Sequence, residues 1–588
     1  MVAEKPYRLA LTWLWTKPGP SGSSQHADSS ETLPSIESGK VASNNQAVSN
    51  RERWTRDLMI VGLILGWGAS LTTLSTAIHM IASGPVRIPY FLFARVARIG
   101  ASMIYGWKKT SSPYLSDHRV YLVSEPTMVI IPLFLQFAIT CISSCLDSIH
   151  ATTLRWAMWR EGRLRHNTNL RLFTTSRQVG SPNGWPANTI WAVGHVLAYS
   201  GATIMTFPVT VIATVDIDSA ADKLAIHYDG DPGPDRFGLD FNGWGLLGLG
   251  TGLLFQAIIC TWCLIHERAR YVESWSGNPL ATARTCRGPT PNSDSSPTPA
   301  SDHRSGRNSE PTLRTPTSKQ PSMRDLIPAT RTIANWIWAI FALYALFALT
   351  VALVAVRIKH TASLDSVRRN RAPINFAGIW QFFAQVQIKY SNDSVGQRRE
   401  WAGLLVQCAG LSILLFGLHL IDVLGGLARD EAIWRRAATG ARGTNPDSNM
   451  LMENVRNWPV LVIFVYKSLI PWVFSFGFSA LAWVFMATLP LVTIALLFLT
   501  LALLAEYLIR VQPKGSQPST YGDIHALVVL VDEWDHERLF WGDKGTLDDR
   551  DGNGSDVRIA GTAGHRLADL QADAEYRGLD WQPGSGRE

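Results

Sequence analysis

Long apolar runs alternate with polar, charged segments along this chain, and most of the runs are long enough to cross a bilayer. A transmembrane helix needs about 20 predominantly apolar residues, because each residue adds about 1.5 Å. Apolar runs of sufficient length occupy about 58–82, 127–146, 189–215, 243–266, 333–356 and 401–427. The pattern therefore predicts four spans in the first half of the chain and at least two in the second.

The apolar stretch from 459 to 509 is too long for one span, and it leaves two interpretations open. Lys467 and two prolines interrupt it. Either it holds two spans, at about 459–476 and 480–508, or its first part is re-entrant or interfacial and only the second part crosses. The fold class predicted is all-α, a polytopic membrane protein with about 7–8 transmembrane helices.

Three polar segments surround these two membrane regions, which extend over 58–266 and 333–509. Residues 1–57 are rich in Ser and Asn, and residues 267–332 are dense in Pro, Ser, Thr and Arg. Such compositions bury too little apolar area to offset the entropy of ordering, so both segments are predicted to be disordered and cytosolic. The C-terminal segment 510–588 is predicted to be a small soluble tail with one short helix.

Charge is scarce and is confined to the segments between the apolar runs. Only 17% of the residues are charged, and the formal net charge is +7. This distribution favours an orientation signal and an affinity for the anionic cytosolic leaflet of a bilayer, and it does not favour nucleic-acid binding. The six cysteines do not form an extracellular disulfide pattern. No cofactor or metal is expected.

Two neighbouring loops carry opposite charge and orient the chain. The segment after the second run contains six arginines and one glutamate, which places it in the cytosol by the positive-inside rule. Residues 216–240 contain seven aspartates and are expected on the lumenal or extracellular side. We therefore expect an integral protein of the plasma membrane or an endomembrane, with a cytosolic N-terminus. The C-terminus is also cytosolic if there are eight spans.

The sixth apolar run contains an ionisable pair. His419 and Asp422 are three residues apart, so they share one face of a helix. Ionisable residues within a span are costly and usually face the bundle interior, which makes the pair a candidate ligand site or proton relay. In the alternative interpretation the pair lies near the cytosolic end and only bonds neighbouring helices. No repeat between the two halves is visible in the sequence, which weakens the case for a transporter.

Several polar positions are candidates for modification. Asn392 begins an Asn-Asp-Ser glycosylation acceptor, and four residues that precede proline are candidates for phosphorylation: Thr290, Ser296, Thr298 and Thr315. No nucleophile-elbow, zinc or paired-carboxylate pattern is present, so the sequence does not predict an enzyme.

A set of phrases resembles those of a family of multi-pass membrane proteins from filamentous fungi. The resemblance covers the chain from about residue 140 onward, without the Pro/Ser linker, and it implies a fungal source. The family has no assigned activity, so the resemblance implies no functional residue. The phrases are SIHATTLRWAMWREGRLRHNTNLRLFTTSR, SWSGNPLATA, EWAGLLVQCAG with GLHLIDVLGGLARDEAIWRRA, QPKGSQPSTYGDIHALVVLVDEW with FWGDKG, and VRIAGTAGHRLADLQADAEYRG.

The function expected from these patterns is that of a scaffold or signalling-type membrane protein. The linker and the tail would bind cytosolic protein partners. The alternative is a transporter or channel for a small solute or ion, which rests on the number of spans and on His419 and Asp422.

Overall fold

A computed structural model describes most of the membrane region and the tail. The described residues are 36–82, 118–123, 125–168, 174–178, 180–211, 236–266, 272–287, 313–361, 385–389, 400–480, 483–546 and 558–579. The chain divides into two units, Met1–Ala47 and Val48–Glu588. Of the first unit only the start of the first helix is described, and the following paragraphs concern the second.

The helices and strands of the first half are, in chain order, α1 (Ile36–Ala82), β1 (His118–Val123), α2 (Glu125–Arg160), α3 (Trp185–Met205), β2 (Thr206–Val211), β3 (Arg236–Asn242) and α4 (Gly243–His266). Two short helices, α5 (Pro279–Cys286) and α6 (Met323–Leu326), follow. The second half contains α7 (Ala329–Thr361), β4 (Gln385–Lys389), α8 (Glu400–Thr439), α9 (Met450–Arg456), α10 (Trp458–Gly477), β5 (Phe478–Ala480), β6 (Trp483–Ala487) and α11 (Thr488–Arg510). The tail adds α12 (Ile524–Leu530), β7 (Phe540–Thr546), β8 (Arg558–Ala563) and β9 (Tyr576–Arg577).

Seven helices are long and apolar enough to cross a membrane. Their candidate spans are Trp54–Ala82, Val129–Arg160, Gly243–His266, Ala329–Arg357, Gly403–Thr439, Trp458–Gly477 and Thr488–Arg510. The prediction of an all-α, polytopic membrane protein is confirmed. The stretch from 459 to 509 holds two of these helices, α10 and α11.

The third predicted span, 189–215, differs from the structure. The helix α3 ends at Met205, and the chain then continues as the strand β2. Its 21 residues correspond to about 31 Å, which matches the hydrocarbon thickness. Its composition alone does not mark it as a span. Polar residues are tolerated in its second half because Ala198 to Met205 are buried in the bundle, and the helix packs against α4.

Backbone contact makes the packing of α3 on α4 unusually close. A Cβ atom on Gly201 would lie 2.2 Å from the backbone nitrogen of Leu249, and one on Gly252 would lie 2.3 Å from that of Ala198. Only glycine permits this approach, as is common where membrane helices meet through small residues.

Three of the predicted segment boundaries need correction. Helix α1 begins at Ile36, inside the N-terminal segment predicted to be disordered. Parts of the predicted linker are ordered as α5 and α6, because Leu280 and Met323 are fully buried against other parts of the chain. The local composition could not show this, since distant residues supply the apolar surface. The tail contains the three-stranded sheet β7-β8-β9 besides its short helix.

The two halves of the chain have the same order of long helices and strands, and we call them repeats in this sense. The first half runs β1-α2-α3-β2-β3-α4, and the second runs β4-α8-α10-β5-β6-α11, with the short helix α9 between α8 and α10. Matched helices have similar lengths: 36 and 40 residues for α2 and α8, 21 and 20 for α3 and α10, and 24 and 23 for α4 and α11. The strands form two antiparallel sheets of the same order, β1-β3-β2 and β4-β6-β5.

Matched positions in the repeats also carry similar residues. Both α3 and α10 begin with Trp-Pro, at Trp185 and Trp458. Asp147 and Asp422 each lie 22 residues after the first residue of their helix (147 − 125 and 422 − 400), and a Trp-Arg pair follows 12 residues later in both. Because so few residues are identical at matched positions, no repeat is visible in the sequence alone.

Both sheets lie at one end of the bundle, which we call the sheet side. The Gln407 Nε2 atom donates to Thr203 Oγ1, beside β2, at 3.2 Å, and to the Phe478 carbonyl oxygen in β5, also at 3.2 Å. This bond links the strand-bearing ends of α3, α8 and α10. The opposite end of the same helices is called the tail side.

On the tail side, the ends of α2 and α8 pack with the tail and with the ordered parts of the linker. Trp156 of α2 donates to the Ser274 carbonyl oxygen, and Trp434 of α8 donates to the Pro518 carbonyl oxygen, each at 2.8 Å. Trp434 also packs on Trp541 of β7, with ring centroids 5.6 Å apart. The linker segment 272–287 and the tail therefore lie on the same side of the bundle.

The repeats exchange contacts on this side. Asn278, which caps α5, donates to the Asn445 carbonyl oxygen in the loop after α8 at 3.2 Å. Reciprocally, the backbone of Ile524, the first residue of α12, donates to the Arg165 carbonyl oxygen in the loop after α2 at 2.8 Å. On the tail side, a segment that follows each half is thus hydrogen-bonded to a loop of the other half.

Candidate functional site

Four helices, two from each repeat, pack around one interior. Helices α2 and α3 come from the first half, and α8 and α10 from the second; each pair contacts the other. Four ionisable side chains lie among them: Asp147 on α2, His195 on α3, Asp422 on α8 and Lys467 on α10. The remaining long helices lie outside this ring of four.

The four side chains form two ion pairs in matching places. The Lys467 Nζ atom is 3.0 Å from Asp422 Oδ2, and the His195 Nδ1 atom is 3.9 Å from Asp147 Oδ1. In each repeat, an aspartate on the long helix faces a basic residue on the next long helix. The Lys467–Asp422 pair is a direct contact at hydrogen-bond distance. The His195–Asp147 pair is looser, and within the described residues His195 Nδ1 has no hydrogen-bond partner.

The basic partners lie at the midpoints of their helices. His195 is 10 residues from each end of α3 (195 − 185 and 205 − 195), and Lys467 is 9 and 10 residues from the ends of α10 (467 − 458 and 477 − 467). At 1.5 Å per residue, both are about 15 Å from either end of the helix. In a helix that crosses a bilayer from end to end, this position is the midplane.

Both carboxylates keep accessible surface. Asp422 exposes 44% of its side chain and Asp147 exposes 38%. An ion pair facing hydrocarbon would be prohibitively costly. We therefore expect this surface to face water or other polar groups among the four helices.

The two pairs act on each other as one cluster. Lys467 interacts electrostatically with both Asp422 and Asp147, and His195 interacts with both carboxylates and with Lys467. With neutral histidines, two carboxylates face one ammonium group. One negative charge is then uncompensated, and the addition of one proton neutralises the cluster.

The two aspartates have partners of different chemistry. Lys467 is a permanent cation near neutral pH, so we call Asp422–Lys467 the constant ion pair. The partner of Asp147 is the imidazole of His195, a side-chain type that can carry or release a proton.

The predicted pair of His419 and Asp422 lies at this site. Asp422 is bonded to Lys467, and His419, one turn earlier on α8, is exposed and interacts electrostatically with Asp422 and Lys467. Whether the pair acts as a relay stays a prediction. Asn392, Thr290, Ser296 and Thr298 lie outside the described residues, and Thr315 is exposed next to Arg314, which pairs with Tyr576 of the tail.

Sequence reasoning missed three members of the cluster. Lys467 was interpreted as an interruption of an apolar stretch, and Asp147 as a residue just beyond the second span. His195 lies within the third predicted span and was not singled out. The available signal was the ionisable residue itself inside an apolar run, since such residues usually face other polar groups.

The described residues offer no site for a metal ion. Within the described ranges, no group of three or more His, Cys, Asp or Glu side chains is close enough to hold one. Cys260 and Cys263 are fully buried in α4, where the Cys260 thiol donates to the Leu146 carbonyl oxygen at 3.3 Å. They pack in the bundle as small apolar side chains. Compared with known protein families, curated proteins and solved structures, the chain matches none of them.

Proposed function

We propose that this multi-pass membrane protein is a proton-coupled transporter of a small solute. The observation that carries the proposal is the placement of two matched ion pairs, Asp147–His195 and Asp422–Lys467, at the midplane between two structural repeats. Many secondary transporters bind substrate and coupling ion at such a place, between repeats that move against each other. With α1 and α7 added to the repeats, each half would cross the membrane four times, and halves with an even number of crossings keep the same orientation and are related by an axis along the membrane normal.

The transport step follows from the charge of the cluster. Binding of one proton at Asp147–His195 removes the net charge at the midplane. Moving a neutral cluster through a conformational change costs less than moving a charged one, because a charge in a closed apolar space loses its hydration. Whether a proton is bound would thus decide when the two halves move, so that the site changes from being accessible on the sheet side to being accessible on the tail side.

The orientation that we propose places the tail side in the cytosol. The arginine-rich residues after the second apolar run end at the tail side, beside Trp156 and Arg165. Most of the aspartate-rich residues 216–240 lie in sequence between β2 and β3, and both of these strands are on the sheet side. Basic and acidic loops at opposite ends follow the positive-inside rule. The anionic cytosolic leaflet then contacts the tail side.

Proton flux in reconstituted vesicles tests the function. The purified protein is placed in liposomes that contain a trapped pH-sensitive dye, and a panel of small amino acids, sugars and nucleosides is added outside. We expect at least one solute to acidify the lumen, and Asp147→Asn and His195→Gln to abolish the response. Asp569→Asn, on the exposed surface of the tail, serves as the control and should leave it unchanged.

The result that would overturn the function is equally direct. If no solute and no imposed membrane potential moves protons through the wild-type protein, the proposal is wrong. It is also wrong if Asp147→Asn transports with the same proton dependence as the wild type.

A scaffold function has less support from the described residues. Leu280 of the linker and Leu527 and Trp541 of the tail are buried against the ends of the bundle helices, so these apolar residues are not available to partners. Binding of cytosolic proteins remains a proposal for residues 288–312, which lie outside the described part of the chain. Recovery of a stoichiometric partner by a peptide of these residues would support it.

A further inference from the structure

We infer that protons reach the Asp147–His195 pair through the first repeat alone, along a polar face of α2. This inference rests on the proposed function and deepens it by assigning the path. In the second repeat, the same face is apolar and closed. The two structurally related halves would therefore have different tasks, one conducting protons and the other holding the constant ion pair.

The polar face consists of side chains spaced by one helical turn. Gln136, Thr140, Ser143 and Asp147 follow one another at intervals of four, three and four residues, so they share one side of α2. Gln136, Thr140 and Ser143 expose 3% or less of their surface. They lie on the sheet-side part of the helix, in line with the carboxylate of Asp147.

Tyr199 connects this face to the histidine of the pair. Its hydroxyl group donates to Thr140 Oγ1 at 3.3 Å, and its ring lies 4.9 Å from the ring of His195. Tyr199 is 2% exposed. The polar face of α2 and the proton-binding histidine are thus joined through one buried hydroxyl.

Two polar atoms on this face lack a protein partner. Within the described ranges, the Gln136 Nε2 and Ser143 Oγ atoms have no hydrogen-bond partner, and neither has the side-chain amide of Gln256, which lies beside Gly194 on α3. Buried polar groups are rarely left unbonded, above all inside a membrane. Ordered water is the smallest species that satisfies them, and a file of water conducts protons.

The second repeat carries leucine at the matching positions. Counted from the first residue of each helix, Leu411, Leu415 and Leu418 of α8 correspond to Gln136, Thr140 and Ser143 of α2. The three leucines are 8% exposed or less and belong to the largest apolar core. On this face, only the aspartate is retained in both helices, as Asp147 in α2 and Asp422 in α8.

The path continues toward the tail side in the first repeat as well. His150 lies one turn beyond Asp147, and its Nε2 atom is 2.9 Å from Asn188 Oδ1. Asn188 in turn donates to the Thr174 carbonyl oxygen, in the loop after α2, at 3.0 Å. In α8 the residue that matches His150 is Gly425, which has no side chain to continue such a path.

The proton that enters from water on the sheet side binds at Asp147–His195 and leaves to water on the tail side. Each helix packed around Asp147 places charged or titratable groups near it. They are His195 and Tyr199 from α3, Lys467 from α10, His419 and, next to Lys467 and His195, Asp422 from α8, Cys260 from α4, and Cys145 and His150 from its own helix.

Replacing the polar residues by those of the second repeat tests the path. In the vesicle assay, Thr140→Leu with Ser143→Leu should reduce solute-dependent proton flux at least about tenfold, because dehydration raises the barrier to proton entry. Thr350→Leu is the matched control. Thr350 makes the same bond to the carbonyl oxygen four residues earlier as Thr140, both at 2.8 Å, but it lies exposed on α7.

The outcomes separate this inference from the proposed function. If the wild type moves protons and the double variant moves them equally fast, the path is wrong and the function stands. If the double variant does not fold, as judged by size-exclusion chromatography, Thr140→Val with Ser143→Ala preserves the shape and must show the same direction of change.

A labelling experiment decides the question without any flux. In lipid nanodiscs, Ser143→Cys should react with a small charged thiosulfonate, whereas Leu418→Cys at the matching place on α8 should not. Peptide mass spectrometry distinguishes the new thiol from the native ones. Equal reactivity at the two positions would overturn the inference, even for a protein in which no proton flux is found.

Discussion

Asp147 and Asp422 are equivalent residues of two structural repeats, and each faces a basic side chain from the next long helix of its own repeat. The partner is His195 in the first repeat and Lys467 in the second. The two halves therefore differ chemically at matched positions. The partner of one aspartate is titratable, and the partner of the other is a permanent cation. The following predictions test the structural basis of this arrangement.

Loss of Lys467 should destabilise the bundle. Lys467→Met leaves Asp422 without its cation, which in a fully buried pair costs about 3–5 kcal/mol. Because the Asp422 side chain is 44% exposed, solvation offsets part of this loss in stability, and we expect a loss of about 1–3 kcal/mol. Thermal unfolding in detergent measures the loss of stability. The double variant Lys467→Met with Asp422→Asn should regain most of the lost stability, because no unpaired carboxylate remains. Lys514→Met, exposed in the tail, is the control; an equal effect there would refute the ion pair's role.

Gly201 should tolerate no side chain. In Gly201→Ala, the new Cβ atom would lie 2.2 Å from a backbone nitrogen of α4, so the two helices must separate. Overpacking of this kind costs about 1–3 kcal/mol. The control is Gly68→Ala on α1, where no atom lies within 4 Å of the new Cβ, and where alanine should stabilise the helix by up to about 1 kcal/mol. Opposite signs of the two changes in unfolding temperature are expected.

Asp430 should be essential for closure of the tail side. It is fully buried on α8 and accepts hydrogen bonds from Asn167 and Thr168 of the first repeat, at 3.0 Å and 2.9 Å. Asp430→Ala removes these two hydrogen bonds and the ion pair with the adjacent Arg429, at a cost of about 3–5 kcal/mol. Limited proteolysis of the loop after α2 reports the opening. Asp569→Ala on the exposed tail should change cleavage little, and similar cleavage of both variants would contradict the assignment.

The loop after α2 should open in mild acid. Burial lowers the pKa of His166 to about 4, against the influence of Asp523 and Asp430. In the unfolded chain its pKa is about 6.5, so the unfolded state takes up the proton first. The stability of this region is therefore full above about pH 6.5 and is lost as the pH falls toward about 4. Hydrogen exchange of residues 161–168 measures the change, and His166→Gln should remove it; an unchanged pH dependence in this variant would contradict it.

The linker and the tail should lie on one side of the membrane. Four helices, α7, α8, α10 and α11, separate them, and an even number of crossings returns the chain to the same side. Protease sites inserted in 288–312 and in 547–557 should be cut together in sealed vesicles. A site inserted in 212–235 should be cut only from the other side. Cleavage of the linker and tail sites from opposite sides would show that α10 does not cross.

The membrane spans could be predicted from the sequence because each run is a local property. Those around 58–82 and 243–266 correspond to helices that end at Ala82 and His266 as expected. The second span was predicted to end at Leu146, but α2 continues to Arg160, since Trp156 and its neighbours are buried by the linker and the tail. The ends of helices depend on contacts that local composition does not contain.

The candidate site was predictable only in part. His419 and Asp422 were found because they lie together in one apolar run. Their partner Lys467 is 45 residues further along the chain (467 − 422), and a contact at this separation cannot be deduced from helical spacing. The Asp147–His195 pair has the same property, since it joins two helices across a loop.

The sequence by itself determined that this is a multi-span α-helical membrane protein, because a hydrocarbon layer imposes a minimum length on every apolar run and requires that backbone polar groups bond within the helix. Only the tertiary structure decided that the halves share one order of helices and strands, and that Asp147, His195, Asp422 and Lys467 come together in the bundle, because these contacts join helices that are distant in the sequence. The matching faces of α2 and α8, polar in one and leucine in the other, are related by the fold and not by their composition.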